Sequence, residues 1–495
     1  MTPGAAGLPS VLTAVSARWD GPVVAAVEAS RQLTIARRCA DLADLLAAAA
    51  SGLGRVALVS GQLRGLTLST VATLRDGGVE VVGLADPDDD QGELRLWQLG
   101  VRSVVSATAA PHDLVAALLD AAGAGHHAGA GADRSEVGGG WVPESLGEAA
   151  GADPILASLA AAAAAAADID PIPVRDTLGH VVAVWGPTGS PGRTTVAVNL
   201  AVELALLGRE VLLIDADTYG GCVAQTLALL DEAPGIATAA RAAEQGTLDL
   251  AALARLALQV RPGLRVLTGI SKAERWPEIR GAALERVLQV CRALVDDVVV
   301  DVGFCLEDDE ELSYDTQAPR RNQATLTTLQ LADAAVVVGG CDPVSLQRLV
   351  RGLQELGTVR APEPIVVVNR VRSGPVGSQP ERLVADALER FAGVVQVHTI
   401  PDDPAAFDAA MLAGRALAEI VPAAPARRAF LELVGEVVRR APLPTTSEFE
   451  DSAGRSGVST GPGATRAQGL RRRGSDASGR RGRRHTSRGW GRSRG

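Results

Sequence analysis

The chain has 495 residues, 47% of them hydrophobic, and a formal net charge of −10. It is too long for one core and apolar enough to fill two or three, so at least two folded units are expected. Five cysteines, Cys39, Cys222, Cys291, Cys305 and Cys341, are scattered without a C-x-x-C pair, which argues against a zinc site or a disulfide framework and for a reducing, cytoplasmic setting.

The first fifteen residues, MTPGAAGLPSVLTAV, place no basic residue ahead of their apolar stretch and lack the build of a secretory signal. Residues 1–20 read as a flexible N-terminus. Residues 21–122 then alternate β-branched runs with helical stretches. PVVAAV (22–27), RVALVS (55–60), VEVVGLAD (79–86) and VRSVVS (101–106) read as strands, and the segments 39–50, 67–78, 93–100 and 111–122 as helices. Such alternation predicts a parallel sheet covered on both faces, a doubly wound α/β domain.

In order and length these elements resemble a response-regulator receiver domain. That family places a phosphate-accepting aspartate at the end of its third strand, whereas Val56–Val59 runs into Ser60; its lysine after the fifth strand is replaced by Ser106. The resemblance implies a degenerate receiver that binds a protein partner through residues 21–122, and another small α/β fold stays open. Residues 123–176 are rich in Gly and Ala and read as a linker, with the adjacent His126 and His127 solvated rather than metal-binding. The run Leu159–Ala167 is nearly all alanine and falls short of the roughly 20 apolar residues needed to span a bilayer.

The most informative segment is VVAVWGPTGSPGRTTVAVNLAVELALLG, residues 181–208, which reads as buried strand, glycine-rich turn and helix. Gly189 and Gly192 would let backbone N–H groups approach phosphate oxygens, with Ser190, Pro191, Arg193, Thr194 and Thr195 completing the cradle at a helix N-terminus. Two further strands end in carboxylates: VLLIDADTYGG (211–221) in Asp215 and Asp217, and DDVVVDVG (296–303) in Asp301. Acidic side chains at the C-terminal ends of parallel strands lie where a hydrated magnesium ion would sit beside a phosphate, with Thr194 as a further ligand.

Together these motifs resemble the deviant Walker A ATPases of the MinD/ParA group and its CpaE-like branch, over residues 177–442. The resemblance implies a mostly parallel P-loop NTPase sheet with helices on both faces, ATP and Mg2+ as cofactors, and an ATP-dependent homodimer. It also implies Asp217 as the water-positioning residue, Asp215 and Asp301 with Thr194 on the metal side, and Arg193 in the place of the P-loop lysine. AAVVVGGCDPVSLQRL (334–349) resembles the strand and helix carrying the family's dimer contacts. Asn369 in PIVVVNR stands where the family reads adenine, and Pro401 and Asp402 stand near the base.

The loop departs from the family pattern at several positions. Its two lysines are replaced by Thr188 and Arg193, Pro187 and Ser190 stand in place of glycines, and Pro191 stiffens the turn. Losing a cation from a phosphoryl-transfer site slows turnover by orders of magnitude, so hydrolysis is expected to be slow, and whether the protein is an ATPase at all stays open. Lys272, the sole lysine, reads as a surface charge. In the stretch 307–326, Arg320 and Arg321 either enter the site or pair with Asp308, Asp309, Glu310 or Glu311, the latter being favoured.

Residues 425–440 space Phe430, Leu433, Val434, Val437 and Val438 as on one helix face; coming directly after the domain's closing segment, they read as core rather than as a membrane-binding helix. Residues 443–495 read as a disordered tail. From 466 onward eleven arginines face Asp476 alone, giving the tail +10 and leaving −20 on the rest of the chain. Such a tail suggests contact with an anionic membrane surface or nucleic acid. The leading expectation is a CpaE-like positioning ATPase serving pilus or secretion machinery, septum or chromosome, cytoplasmic or peripheral at a membrane or pole. A nucleotide-binding adaptor without turnover and a nucleic-acid-binding protein acting through the tail are the alternatives.

Overall fold

A computed structural model describes residues 8–124, 177–229, 234–308 and 318–440. The expected linker lies outside the described residues from 125 onward, as do the arginine tail and positions 309–317 of the insertion.

Five parallel strands, β1 (Ser10–Ala14), β2 (Thr34–Arg38), β3 (Val56–Ser60), β4 (Glu80–Ala85) and β5 (Ser103–Ser106), alternate with α1 (Ala17–Ser30), α2 (Leu42–Ala50), α3 (Leu68–Asp76), α4 (Asp90–Gln98) and α5 (Pro111–Ala124). The sheet order is β2-β1-β3-β4-β5, a doubly wound arrangement with helices on both faces. Val56, Ala57, Leu58 and Val59 are fully buried, because a parallel strand covered on both sides has no polar face.

Two expectations are corrected here. Residues 10–20 are not a flexible lead: β1 pairs with both β2 and β3, and Val11 and Leu12 are fully buried. Conversely, PVVAAV is no strand but part of α1. Its buried residues are Val23 and Val27, four apart on one helix face, and that period prevailed over the β-branched composition.

The second sheet has eight strands, β6 (His180–Trp185), β7 (Val211–Ala216), β8 (Leu258–Arg261), β9 (Leu264–Leu267), β10 (Asp297–Val302), β11 (Ala334–Gly340), β12 (Pro364–Val371) and β13 (Val397–Pro401), ordered β13-β12-β11-β6-β10-β7-β9-β8. All pairings are parallel except β8 with β9. The longer helices are α6 (Arg193–Leu206), α7 (Gly235–Glu244), α8 (Leu250–Leu256), α9 (Gly281–Leu294), α10 (Gln323–Leu331), α11 (Pro343–Leu356), α12 (Pro380–Ala392), α13 (Pro404–Ala413) and α14 (Pro425–Arg440). One core layer packs α7, α9 and α11 on the sheet, and the other packs α6 and α14 on its opposite face.

Helix α14 behaves as core: Phe430, Leu433, Val434 and Val437 are buried, and Arg427 reaches the buried Glu203 of α6 at 2.7 Å. No helix among the described residues is long and apolar enough to cross a membrane.

The two sheets are joined through helices. The Ser69 backbone N–H donates to the Glu244 carboxylate at 3.2 Å, and its hydroxyl donates to the same group. Arg95 donates to the Gln245 carbonyl at 3.3 Å, and Ala282 of α9 packs against the N-terminal core. At the seam Gly246, with φ +66, leaves room for Leu99: a Cβ there would lie 2.9 Å from Leu99 Cγ. Gly246→Val should therefore pry α3 and α4 off α7. Hydrogen exchange is expected to rise in residues 66–76 and 235–246 while β6 and β10 keep their protection; unchanged exchange at the seam would mean that Gly246 does not hold it.

Candidate functional site

Strands β6, β7 and β10 lie side by side at the centre of the second sheet, so their carboxyl ends form one floor. Asp301 pairs in register with Asp215 on one side and Val184 on the other. Two carboxylates thus sit on neighbouring strands, Asp301 fully buried and Asp215 nearly so. Burial holds both well above the ordinary carboxylate range, with the Asp215 charge adding to the rise at Asp301 and the Asp217 charge to that at Asp215. Asp215 accepts N–H groups from Asp217 at 3.2 Å and Val223 at 3.0 Å. Asp301 accepts the Thr194 hydroxyl at 2.5 Å on Oδ2, while its buried Oδ1 has no partner.

Above this floor the glycine loop turns into α6. Gly189 (φ +75) and Gly192 (φ +87) are left-handed, as the turn requires, and Gly192 caps α6 without any side-chain bond. The first-turn N–H groups of a helix have no intrahelical acceptor, and here no capping side chain supplies one, so this turn is a ready anion site. Thr194 and Thr195 occupy that turn. Arg193 spans the site, donating to the Gly186 carbonyl at 3.2 Å and to Asp217 Oδ2 at 2.9 Å. The other Asp217 oxygen accepts the backbone N–H groups of Tyr219 (2.9 Å) and Gly220 (3.3 Å).

The structure thus brings together Gly189, Ser190, Pro191, Gly192, Arg193, Thr194, Asp215, Asp217 and Asp301. Asn369, at the end of β12, joins them by bracing the loop: its amide donates to the Pro191 carbonyl at 2.9 Å and its oxygen accepts Arg370 N–H at 2.9 Å. Pro401 and Asp402 stand at the sheet edge, where Asp402 bonds Val371 through its N–H and Arg372 at 3.2 Å through its carboxylate. Thr188 is exposed at the loop tip, and Lys272 is exposed as expected.

Several features escaped the sequence reading. The two loop prolines are seated against glycines: a Cβ on Gly352 of α11 would lie 2.9 Å from Pro187, and one on Gly340 would lie 3.1 Å from Pro191. Arg348, one turn before Gly352, lies over Gly189, where an added Cβ would come 2.1 Å from its Nη1. The legible signal was the i, i+4 spacing of Arg348 and Gly352 on a helix following a central strand. Of the two arginines in the insertion, Arg320 pairs with Asp308 at 3.1 Å on the surface. Arg321 instead stacks over Tyr219 at 4.2 Å and donates to the Thr218 carbonyl at 3.2 Å. Tyr219 in turn donates to Asn322 at 2.6 Å, so the segment after Asp217 is anchored by an aromatic and a polar contact.

Hard oxygen donors converge here, Thr194 Oγ1 and the carboxylates of Asp301 and Asp215, with one buried carboxylate oxygen lacking a partner. That set suits a magnesium ion, which takes few protein ligands and keeps its waters. The fold and site define a doubly wound P-loop nucleotide-binding domain. Residues 182–412 match the family model of the CobQ/CobB/MinD/ParA nucleotide binding domain.

Among relatives, an uncharacterized ATP-binding protein of Methanocaldococcus jannaschii is 24% identical over 263 residues, covering 52% of this chain and 87% of that protein. An iron-sulfur cluster carrier protein of Mycobacterium bovis is 27% identical over 246 residues, covering 48% of this chain; the match spans only 58% of that relative's length. A ParA family ATPase from Chlorobium tepidum overlaps 52% of this chain and 98% of its own, at 17% identity and a TM-score of 0.44.

The raised carboxyls have a consequence for stability. The folded protein retains a proton at Asp301 that the unfolded chain releases near pH 4, so stability from this group falls as pH climbs from there through the raised native value. Asp301→Asn removes that dependence. In magnesium-free buffer its melting midpoint is expected to gain on the wild type between pH 5 and pH 8, by about 2–4 °C for each kcal/mol relieved. A gap that stays constant with pH would show that Asp301 is ionised in the folded protein.

Proposed function

We propose that the chain is a MinD/ParA-type ATP-binding protein of the CpaE-like branch, in which ATP and Mg2+ control homodimerisation and thereby the placement of a large assembly such as pilus or secretion machinery, a septum or a chromosome. The observation that carries the nucleotide reading is the convergence of Arg193 on Asp217 and Thr194 on Asp301 beneath a left-handed glycine turn. Thr194, Asp301 and Asp215 would hold the magnesium ion, which when bound neutralises phosphate charge. The first-turn N–H groups of α6 bind phosphate oxygens, Arg193 supplies a guanidinium to them, and Asp217 positions the attacking water. Asn369 holds the loop by its Pro191 carbonyl and marks the adenine side, with Pro401 and Asp402 beyond it.

The N-terminal domain, as a degenerate receiver, recruits a protein partner; Ser60 at the end of β3 and Ser106 at the end of β5 replace the residues that would accept and hold a phosphoryl group. The arginine tail, residues 466–495, attracts an anionic membrane surface or nucleic acid and keeps the protein peripheral to its site of action. A second reading, an adaptor that binds nucleotide without turnover, is favoured by one specific contact. Arg193 is held in an ion pair with Asp217, the residue that turnover needs free.

The test uses the full chain with ATP and magnesium. Wild type is expected to bind and to turn over at about 0.01 per second or slower. Asp217→Ala should keep binding and lose turnover, and Arg193→Ala should weaken binding about 10- to 100-fold. Binding without any wild-type turnover would select the adaptor, and absence of binding would sink both readings.

A further inference from the structure

We propose that Arg348 is a phosphate-binding residue of the nucleotide loop, supplied in cis by α11. The inference rests on the nucleotide reading above and adds a cation to the site that the glycine loop itself does not contain. A nucleoside triphosphate carries several negative charges into a floor that already holds Asp215, Asp217 and Asp301. Within the loop and the first turn of α6, Arg193 is the one cationic side chain, and it is already committed to Asp217. Beside magnesium and Arg193, any further cationic side chain for the phosphates comes from outside the loop.

Arg348 has the required position and freedom. Its Nη1 lies so close to Gly189 that a Cβ there would stand 2.1 Å away, so the guanidinium rests on loop backbone at a residue whose left-handed φ only glycine accepts readily. Among the described residues Arg348 makes no ion pair or hydrogen bond, and it is exposed. The placement is built in. Gly352, one turn further along α11, receives Pro187 at near contact, and Gly340 receives Pro191, so helix and loop are locked in one register that sets Arg348 over the loop's outer edge. The planar fork of arginine suits phosphate oxygens at that edge, where Thr188 offers no charge.

The experiment compares wild type, Arg348→Ala, Arg348→Lys and, as a charge control at an exposed ion pair on α12, Arg382→Ala, each as the full chain. Binding of ATP and of ADP is measured by calorimetry with magnesium. Arg348→Ala is expected to weaken ATP about 10- to 100-fold and ADP by less, Arg348→Lys to restore most of the loss, and Arg382→Ala to match wild type. Melting midpoints verify that every variant is folded. Wild-type ATP binding that survives Arg348→Ala unchanged, or an equal loss in Arg382→Ala, overturns the role of Arg348 alone. Absence of wild-type binding overturns it together with the nucleotide reading.

Discussion

Two carboxylates on adjacent parallel strands, in register and away from solvent, set the terms for everything around the nucleotide loop. Asp301 and Asp215 cannot both ionise at ordinary cost, since burial and like charge act in the same direction. The protein answers with donors: Thr194 to Asp301, and the backbone N–H groups of Asp217 and Val223 to Asp215. One oxygen, Asp301 Oδ1, is left unanswered. An acidic floor maintained at such cost at the centre of a sheet has no packing rationale, because apolar residues would fill it more stably. It is intelligible as a seat for a cation beside a phosphate.

The loop above this floor shows how a glycine turn accommodates two prolines. A proline where a glycine is expected adds bulk and removes an N–H donor. Here Pro187 and Pro191 are each met by a glycine on β11 or α11, so the added volume is absorbed by Gly352 and Gly340. Asn369 then ties the Pro191 carbonyl to the end of β12. The turn is therefore braced from three directions by elements far away in sequence, and its stiffness comes from tertiary contact as much as from proline.

Much of the architecture was legible because parallel strands covered on both faces write themselves as short β-branched runs, as VVAVW, VLLID and DVVVDV do. The carboxylates were legible for the same reason, since each falls where such a run ends. The N-terminal strand was not, because Ser10–Ala14 is a five-residue run in which Val11 is the one β-branched aliphatic residue, while PVVAAV nearby has the stronger β composition and yet buries Val23 and Val27 at helical spacing. Arg348, Gly352 and Gly340 were invisible as partners of the loop because their meaning is a distance to residues some 150 positions away. Arg321 was seen only as a charge, and the aromatic ring beneath it, Tyr219, decided its position.

The ion pair between Arg193 and Asp217 gives the free protein a self-neutralised site. Arg193 is largely buried and Asp217 almost wholly so, which makes their attraction stronger than that of a surface pair and makes an unpaired partner costly. A phosphate that draws Arg193 toward the loop leaves Asp217 with its two backbone donors, Tyr219 and Gly220, and one oxygen open. On the proposed reading, in which Asp217 orients water, the event that brings the reacting group in would also release that residue. The segment carrying those donors is clasped by Arg321 and Asn322, at the start of α10; α10 packs on α9, and α9 is the helix that meets the N-terminal core at Ala282. A contiguous set of contacts therefore runs from the glycine loop to the N-terminal domain through charged and aromatic groups.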